Sequence, residues 1–301
     1  MAQETVGMIG LGIMGSAMSA NLLRAGFDVV GYDVLARARR AHRKAGGTVA
    51  RSCRDVARHC AFMVTSLPSS EALLDTATQL AQSPRAQRVV LETSTLPIPV
   101  KEEARRRLAA RGITLLDCPL SGTGAQARVK DLIVYASGDR GAYRRAAPVM
   151  DGFARAHYYI GSFGAGSKMK FIANLLVAIH NVAAAEAFVL ARKAGLDPAL
   201  MLKVISDGAG SSRMLQVRGP MMVTGDYSNA TMKVGVWQKD MTVIGEFARK
   251  LDCPTPLFAA SAPIYNAAMA LGHSEDDTAA VCAVLEGMAN IPRRRGGKSA
   301  G

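Results

Sequence analysis

Two hydrophobic patterns divide the 301 residues of the chain. In the first half, short apolar runs alternate with segments whose apolar residues recur at helical spacing. The apolar runs, which predict strands, lie at residues 5–10, 28–32, 62–67, 88–93, 114–118, 132–137 and 157–160. The segments that predict helices lie at residues 14–25, 35–45, 70–82 and 99–111. Because alternating strands and helices form parallel sheets, we predict an α/β fold with a doubly wound, mainly parallel sheet.

The second half has long stretches rich in Ala, Leu and Met and few strand patterns. Its predicted helices lie at residues 167–194, 198–207, 232–251, 256–271 and 276–289. We therefore expect a sheet domain at residues 1–164, an all-α domain at residues 165–292 and a tail at residues 293–301. The tail is basic and rich in glycine, which predicts disorder.

A glycine-rich turn joins the first predicted strand to the first predicted helix. It consists of Gly10, Leu11, Gly12, Ile13, Met14 and Gly15. In such a turn the first glycine permits the sharp bend, the second lets the backbone approach phosphate, and the third packs helix on strand. The helix N-terminus adds N–H donors and the positive end of its dipole. Strand, turn and helix in this order predict a dinucleotide site in a Rossmann-type domain.

Asp33 bears on the choice of dinucleotide. It follows the second predicted strand, close to the spacing of about 20 residues at which a carboxylate meets the adenosine ribose 2′-hydroxyl. A carboxylate there repels a 2′-phosphate, so we favour NAD over NADP. Arg37, Arg39 and Arg40 follow closely and are able to accept a phosphate, so NADP stays open.

The chain is basic, with 37 Lys and Arg against 24 Asp and Glu and a formal net charge of +13. Such a charge is compatible with binding to nucleic acid or to an acidic membrane. The arginines, however, lie on amphipathic predicted helices at residues 37–44 and 105–111, without the interleaved aromatic residues of a single-strand platform. We interpret them as a solvated face that attracts anionic cofactor and substrate, and expect no nucleic-acid partner.

Other features predict a soluble, metal-free protein of the cytoplasm. The five cysteines form no C-x-x-C pair, which favours free thiols in a reducing compartment, and the histidines have no metal-ligand spacing. A strand pattern that begins at residue 5 leaves no room for a signal peptide. The longest apolar stretch, residues 171–191, contains Asn174, Asn181 and Glu186, which favours a buried helix over a membrane span.

A second motif opens the long predicted helix of the second half. Gly164, Ala165 and Gly166 precede Lys170 and Asn174, which lie one turn apart and therefore share a helix face. A lysine is a proton carrier and an asparagine is a hydrogen-bonding amide. Combined with a dinucleotide site, this pair indicates a nicotinamide-dependent dehydrogenase that moves a hydride while the lysine moves a proton.

Four segments in order resemble the β-hydroxyacid dehydrogenase family, which includes 3-hydroxyisobutyrate dehydrogenase, tartronate semialdehyde reductase and, more distantly, 6-phosphogluconate dehydrogenase. The segments are residues 10–26, residues 117–122, residues 164–174, and Lys239-Asp240 with residues 254–257 and 272–277. The resemblance implies reversible NAD(P)-linked oxidation of a small 3-hydroxy acid, or reduction of its semialdehyde or oxo acid, in a cleft between the two domains. It also implies a homodimer or homotetramer.

The resemblance assigns the acid/base role to Lys170 and substrate holding to Asn174. A free lysine has a pKa of about 10.4, and burial or a neighbouring cation such as Lys239 lowers the pKa toward the useful range. Lys168 is a weaker candidate, because residues two apart on a helix face different directions. The resemblance also implies that Lys239 reaches the cofactor, whereas we expect Asp240 to be a structural partner.

Ser121, Gly122 and Thr123 resemble the family turn that binds the substrate carboxylate, to which a hydroxyl and backbone N–H groups are suited. The chain departs from the family here, because Thr123, Gln126 and Lys130 stand where glycines are usual. The departures favour a substrate with extra hydroxyls to pair with Thr123 or Gln126.

Further cofactor contacts are expected at Leu67, Pro68 and Thr95, because ligands of doubly wound sheets bind beyond the carboxyl ends of the strands. Two alternatives remain. An imine reductase shares the architecture, but such relatives usually lack lysine at the position of Lys170. A non-catalytic binding protein with a basic surface is disfavoured by the presence of both Lys170 and Asn174.

Overall fold

The computed structural model describes residues 4–83 and 87–291. The chain divides into two compact units, Met1–Lys170 and Phe171–Gly301. The tail at residues 293–301, for which disorder is expected, lies outside the described residues.

The first unit contains a sheet and the helices that cover it. Its strands are β1 (Thr5–Ile9), β2 (Asp28–Tyr32), β3 (Thr48–Val49), β4 (Phe62–Thr65), β5 (Arg88–Glu92), β6 (Ile113–Asp117), β7 (Leu120–Ser121), β8 (Ile133–Ser137) and β9 (Ala156–Gly161). Its helices are α1 (Ile13–Arg24), α2 (Ala36–Lys44), α3 (Cys53–His59), α4 (Ser70–Ala81), α5 (Ile98–Ala109), α6 (Gly124–Arg128) and α7 (Arg140–Phe153). Helix α8 (Ala165–Lys193) begins in this unit and continues into the second.

The sheet has the order β3-β2-β1-β4-β5-β6-β8-β7, with β9 beside β8. Strands β1 to β6 are parallel, and β8 runs antiparallel to β6 and β7. Successive residues of a strand point to opposite faces, so Met8 and Ile9 belong to two different hydrophobic clusters. One cluster contains Met18 of α1 and Phe153 of α7, and the other contains Leu73 of α4. Helices therefore cover both faces, and the predicted doubly wound fold is confirmed.

Several short or proline-containing elements are absent from the sequence-based prediction. Strands β3 and β7 have two residues each, too few to show a period. Helices α7 and α10 (Arg213–Thr224) contain Pro148 and Pro220, and an internal proline normally predicts a break. In both cases the structure continues the helix through the proline.

The second unit is helical. It contains the rest of α8, α9 (Pro198–Ser206), α10, α11 (Val234–Lys250), α12 (Pro256–Ala270), a 3₁₀ turn (Thr278–Ala280) and α13 (Val281–Met288). By length and composition, α8 is the one helix of the described residues able to cross a membrane. Its buried Asn181 nevertheless donates to the Tyr265 hydroxyl and the Thr278 carbonyl, as in the core helix of a globular unit.

Candidate active site

The carboxyl ends of five parallel strands lie level at one edge of the sheet. Ile9 is in register with Tyr32 and Thr65, Thr65 with Glu92, and Glu92 with Asp117. The sequence-predicted cofactor and substrate residues of the first unit follow these five positions by one to six residues. The register therefore brings their loops to the same edge, where ligands of doubly wound sheets bind.

The glycine turn has the shape that a dinucleotide requires. A Cβ atom at Gly10 would lie 2.1 Å from the Ser66 carbonyl oxygen, and one at Gly15 would lie 1.8 Å from the Gly10 carbonyl oxygen. At Gly12, by contrast, no atom would lie within 4 Å of an added Cβ. Helix α1 has no side-chain cap and no acidic residue in its first turn. The turn is thus packed against the sheet at Gly10 and Gly15 and open at Gly12, which fits the approach of a pyrophosphate.

Asp33 holds the glycine turn in place. One carboxylate oxygen accepts a hydrogen bond from the Leu11 N–H at 2.7 Å, and the other accepts one from the Leu35 N–H at 2.8 Å. Because each carboxylate oxygen accepts more than one hydrogen bond, the group retains capacity for a ribose hydroxyl. The nearby Arg39 guanidinium donates to the backbone carbonyls of Asp33 and Val34, so it is partly committed to the chain itself.

The loops that follow β4 and β5 are joined to each other. The Leu67 N–H donates to the Ser94 hydroxyl at 2.8 Å, and the Ser94 N–H donates to Glu92 Oε1 at 2.9 Å. Leu67 and Thr95 are partly exposed, and Pro68 is exposed. The residues expected to border the cofactor therefore lie on two loops that share a hydrogen-bond chain.

In the turn after β7, side chains form hydrogen bonds at positions where glycines are expected. Gln126 Oε1 accepts from the Thr123 N–H at 3.0 Å, and Gln126 Nε2 donates to Asp131 at 3.1 Å. Lys130 has a φ of 61°, a conformation that glycine adopts easily. The Gln126 amide is thus engaged within the loop. The Thr123 hydroxyl also donates to Gln126 Oε1, but over a longer distance of 3.4 Å, which favours Thr123 over Gln126 as the side chain that changes partner to meet a substrate.

This turn lies against the glycine turn. A Cβ atom added to Gly124 would lie 2.5 Å from Ile13 Cγ2, and Asn21 Nδ2 of α1 donates to the Ala127 carbonyl at 2.7 Å. Ser121, Gly122 and Thr123, immediately before Gly124, are partly exposed. The first unit therefore places the candidate carboxylate-binding turn beside the candidate pyrophosphate site.

Helix α8 carries both candidate catalytic side chains. Lys170 is 9% exposed, whereas Lys168 of the same helix is exposed. Asn174 is 4% exposed, and its Nδ2 donates to Asp240 Oδ2 at 2.7 Å. A carboxylate only accepts, so the amide nitrogen faces Asp240 and the amide oxygen is directed elsewhere. Asp240 thus orients Asn174, the structural role expected for it.

Lys239, expected to reach the cofactor, lies on α11 next to Asp240. Its Nζ is 3.9 Å from Asp240 Oδ1, and its side chain is 37% exposed. This contact is long and half-exposed, so it holds the ammonium only loosely. The side chain keeps the freedom that contact with a ligand requires.

A group of buried charges that the motifs do not predict lies beneath these loops. Lys101 Nζ lies 2.6 Å from Glu92 Oε2 and 2.8 Å from Asp117 Oδ1, and all three side chains are fully buried. One signal was available: Lys101 shares the buried face of α5 with Ala104 and Leu108, at helical spacing. A lysine on an apolar helix face needs a buried partner.

Two family models match the chain one after the other. The NAD binding domain of 6-phosphogluconate dehydrogenase matches residues 5–161. The NAD-binding of NADP-dependent 3-hydroxyisobutyrate dehydrogenase matches residues 164–285. The first match alone covers more than half of the chain.

Full-length relatives agree with these matches. L-threonate dehydrogenase from Cupriavidus necator is 34% identical over 289 residues, which cover 95% of this chain and 97% of that protein. The crystal structure of 3-hydroxyisobutyrate dehydrogenase from Salmonella typhimurium has a TM-score of 0.85 and 30% identity, over 94% of this chain and all of that one.

An imine reductase from Pseudomonas sp. has a TM-score of 0.61 with 18% identity, over 94% of this chain and 99% of that one. At this identity the likeness shows a shared fold alone. The comparisons therefore favour enzymes that act on small hydroxy acids over those that act on imines.

Proposed function

Because the chain belongs to the β-hydroxyacid dehydrogenase family and is an NAD(P)-dependent dehydrogenase of small hydroxy acids, we propose that Lys170 carries the proton in its reaction. The observation that carries the proposal is the burial of Lys170 on α8, one turn before the oriented amide of Asn174. A side chain that exchanges a proton with substrate is most effective where it is held in position and shielded from bulk water. The exposed Lys168 does not meet these conditions.

The nicotinamide supplies the hydride acceptor or donor when it is bound. In oxidation, the Lys170 amine takes the hydroxyl proton as the hydride leaves carbon; in reduction, the ammonium returns that proton to the carbonyl oxygen. The Asn174 amide hydrogen-bonds the same oxygen. The Ser121 hydroxyl and the Gly122 N–H hold the substrate carboxylate, which fixes the reacting carbon relative to Lys170.

We propose a small anionic acid with more than one hydroxyl as the substrate. Thr123 adds a hydroxyl beside that of Ser121, and this hydroxyl is able to exchange its 3.4 Å hydrogen bond to Gln126 Oε1 for one to a second substrate hydroxyl. The 34% identity to an L-threonate dehydrogenase supports the same class, because threonate carries three hydroxyls. A site with such a polar group discriminates against analogues that lack its partner.

We propose NAD as the preferred cofactor, supported by the retained hydrogen-bond capacity of the Asp33 carboxylate. We also propose a cytoplasmic homodimer or homotetramer. The described cysteines are free thiols, four of them buried, which suits a reducing compartment. Helix α9 has no buried residue although it is apolar, which favours a second copy against it.

The test is reduced-nicotinamide absorbance with purified protein, NAD or NADP, and a panel of 3-hydroxyisobutyrate, glycerate, threonate and 3-hydroxypropionate. We expect turnover with NAD, with a higher kcat/KM for threonate and glycerate than for the two acids with one hydroxyl. The Thr123→Val variant keeps the shape of the side chain and removes its hydroxyl. We expect it to have a smaller difference in kcat/KM between the acids with several hydroxyls and those with one. A parent that prefers 3-hydroxyisobutyrate, or a Thr123→Val variant with the parent's selectivity, would contradict the proposed substrate class.

A further inference from the structure

Three charged side chains are sealed beneath the loops of the candidate active site. Lys101 of α5 contacts Glu92, the last residue of β5, at 2.6 Å, and Asp117, the last residue of β6, at 2.8 Å. None of the three side chains is exposed. Burial disfavours the charged form of Lys101, but the Asp117 and Glu92 carboxylates outweigh it and raise the pKa of the ammonium above its ordinary value. The group therefore contains one cation and two carboxylates.

The start of α8 supplies further hydrogen-bond donors to this group. The Ser167 N–H donates to Asp117 Oδ2 at 2.8 Å, and the Ser167 hydroxyl donates to Asp117 Oδ1 at 2.8 Å. The Gly166 N–H donates to the Ser137 hydroxyl at 2.9 Å. Gly164, which precedes the helix, has no side chain with which to cap it. The sheet therefore caps α8, and the negative Asp117 lies at the positive end of the helix dipole.

The contact between the sheet and this helix end leaves no free space. A Cβ atom at Gly166 would lie 2.2 Å from the Tyr135 carbonyl oxygen and 2.8 Å from that of Asp117. Lys170 follows Gly166 by four residues, one helical turn. The hydrogen bonds of Asp117 thus set the position and rotation of the turn that carries Lys170.

The same lysine reaches the cofactor loops through its other partner. Glu92 Oε1 accepts from the Ser94 N–H at 2.9 Å, and the Ser94 hydroxyl accepts from the Leu67 N–H at 2.8 Å. Lys101 is therefore the one described cation that contacts both the carboxylate capping α8 and the carboxylate holding the loops after β4 and β5.

We propose that Lys101 is a positioning residue of the reaction, which fixes the start of α8, and so Lys170, relative to the cofactor loops by holding Asp117 and Glu92 together. The inference rests on the proposed role of Lys170. Lys101 itself touches neither substrate nor cofactor in this account; it acts through the two carboxylates.

The Lys101→Met variant tests this role, because it keeps the length of the side chain and removes the charge. Two carboxylates then face each other without a cation, so one of them takes up a proton as the pH falls. At pH 8 we expect kcat to fall about tenfold or more, the scale on which loss of positioning acts. At pH 6 the added proton removes the repulsion between the carboxyl groups, and the deficit relative to the parent at the same pH shrinks to about threefold.

A second substitution distinguishes positioning from general damage. Glu92→Gln in the Lys101→Met background removes the repulsion and keeps an oxygen for the Ser94 N–H. We expect this double variant to regain about fivefold or more of the kcat lost at pH 8 and to lose the pH-dependent deficit. The exposed Lys250→Met is the matched control and should retain parent activity. A deficit that is equal at both pH values and is not relieved by Glu92→Gln overturns the proposal, as does parent-like kcat in Lys101→Met.

If Lys101→Met does not fold, Asp117→Asn tests the positioning role instead, because it keeps the Lys101–Glu92 pair and removes the negative charge at the start of α8. We expect kcat to fall about tenfold with the cofactor Kd within about threefold of the parent, since the glycine turn is untouched. Parent-like kcat, or kcat and cofactor affinity that fall together, overturns the proposal. Lys170→Ala, measured in parallel, separates the two ideas: if that variant stays active, it is the proposed function that fails.

Discussion

Asp33 combines an observed contact within the protein with the role in cofactor choice that we propose for it. It binds the Leu11 N–H of the glycine turn and is the residue best suited to choose between NAD and NADP. We expect Asp33→Asn to lower kcat/KM for NAD about tenfold relative to that for NADP, because the amide keeps an oxygen for Leu11 and loses the charge that repels a 2′-phosphate. Steady-state kinetics with both cofactors measure this ratio.

The measurement with both cofactors is the control for Asp33→Asn, since a variant that only loosened the glycine turn would lose kcat/KM equally for NAD and for NADP. An unchanged NAD to NADP ratio would mean that a contact other than Asp33 selects the cofactor. Equal losses with both would assign Asp33 to the turn alone.

His42 gives a pH-dependent contribution to stability. It is buried between Ser19 and the Thr48 carbonyl, and burial lowers the pKa of its imidazole below 6.5. The unfolded chain therefore binds more protons below pH 6.5 than the folded chain does. Unfolding free energy should fall as the pH drops through this range, by at most about 1.4 kcal/mol per pH unit for one proton.

Denaturant melts between pH 7.5 and 5.5 measure the effect. His42→Gln keeps a hydrogen-bonding side chain and should flatten the pH dependence of stability. An equal slope for the parent and His42→Gln would show that other groups carry the pH dependence.

At the scale of elements, the long and regular strands and helices follow from hydrophobic period, and the exceptions have local causes. The two-residue strands β3 and β7 carry no period, and α7 and α10 tolerate internal prolines because tertiary packing outweighs propensity. The capping of α8 could not be predicted from local sequence, because the capping group is Asp117, 50 residues away from Ser167 in sequence. Local sequence shows only that Gly164 supplies no cap.

The start of α8 yields a stability prediction. Gly166→Ala places a Cβ against two carbonyl oxygens of the sheet, so we expect it to cost about 1–3 kcal/mol of unfolding free energy. Gly287→Ala is the matched control in α13, where nothing lies within 4 Å of an added Cβ, and it should stabilise by up to about 1 kcal/mol. Chemical denaturation of both variants measures the difference; two equal effects would contradict the close contact at Gly166.

At the scale of the whole molecule, four ordered motifs predict the family and the fold, whereas helical spacing indicates only the buried position of Lys101 and not its two partners. The motifs are short and local, but the Lys101 group joins three segments that only the sheet register brings together. The candidate carboxylate-binding turn could be predicted from the sequence only in part. The sequence identified its departure from glycine, and the structure showed that the Gln126 amide is used within the loop.

Helix α9 gives a prediction about assembly. Its Leu200 and Val204 are 59% and 57% exposed although apolar, which supports contact with a second copy. We expect the parent to sediment as a dimer or tetramer and the Leu200→Asp, Val204→Asp double variant to shift toward monomer, because buried charges without partners oppose association. Lys203→Asp, a charge change on the same helix, is the control. A monomeric parent would contradict the proposed assembly.

Lys170→Ala and Lys168→Ala should be compared on the best hydroxy-acid substrate, by reduced-nicotinamide absorbance and by titration of cofactor binding. We predict that Lys170→Ala lowers kcat by about 10²–10⁴-fold with cofactor affinity retained, and that the exposed Lys168→Ala keeps parent kcat. Parent-like turnover by Lys170→Ala would contradict the account, since another group would then have to move the proton.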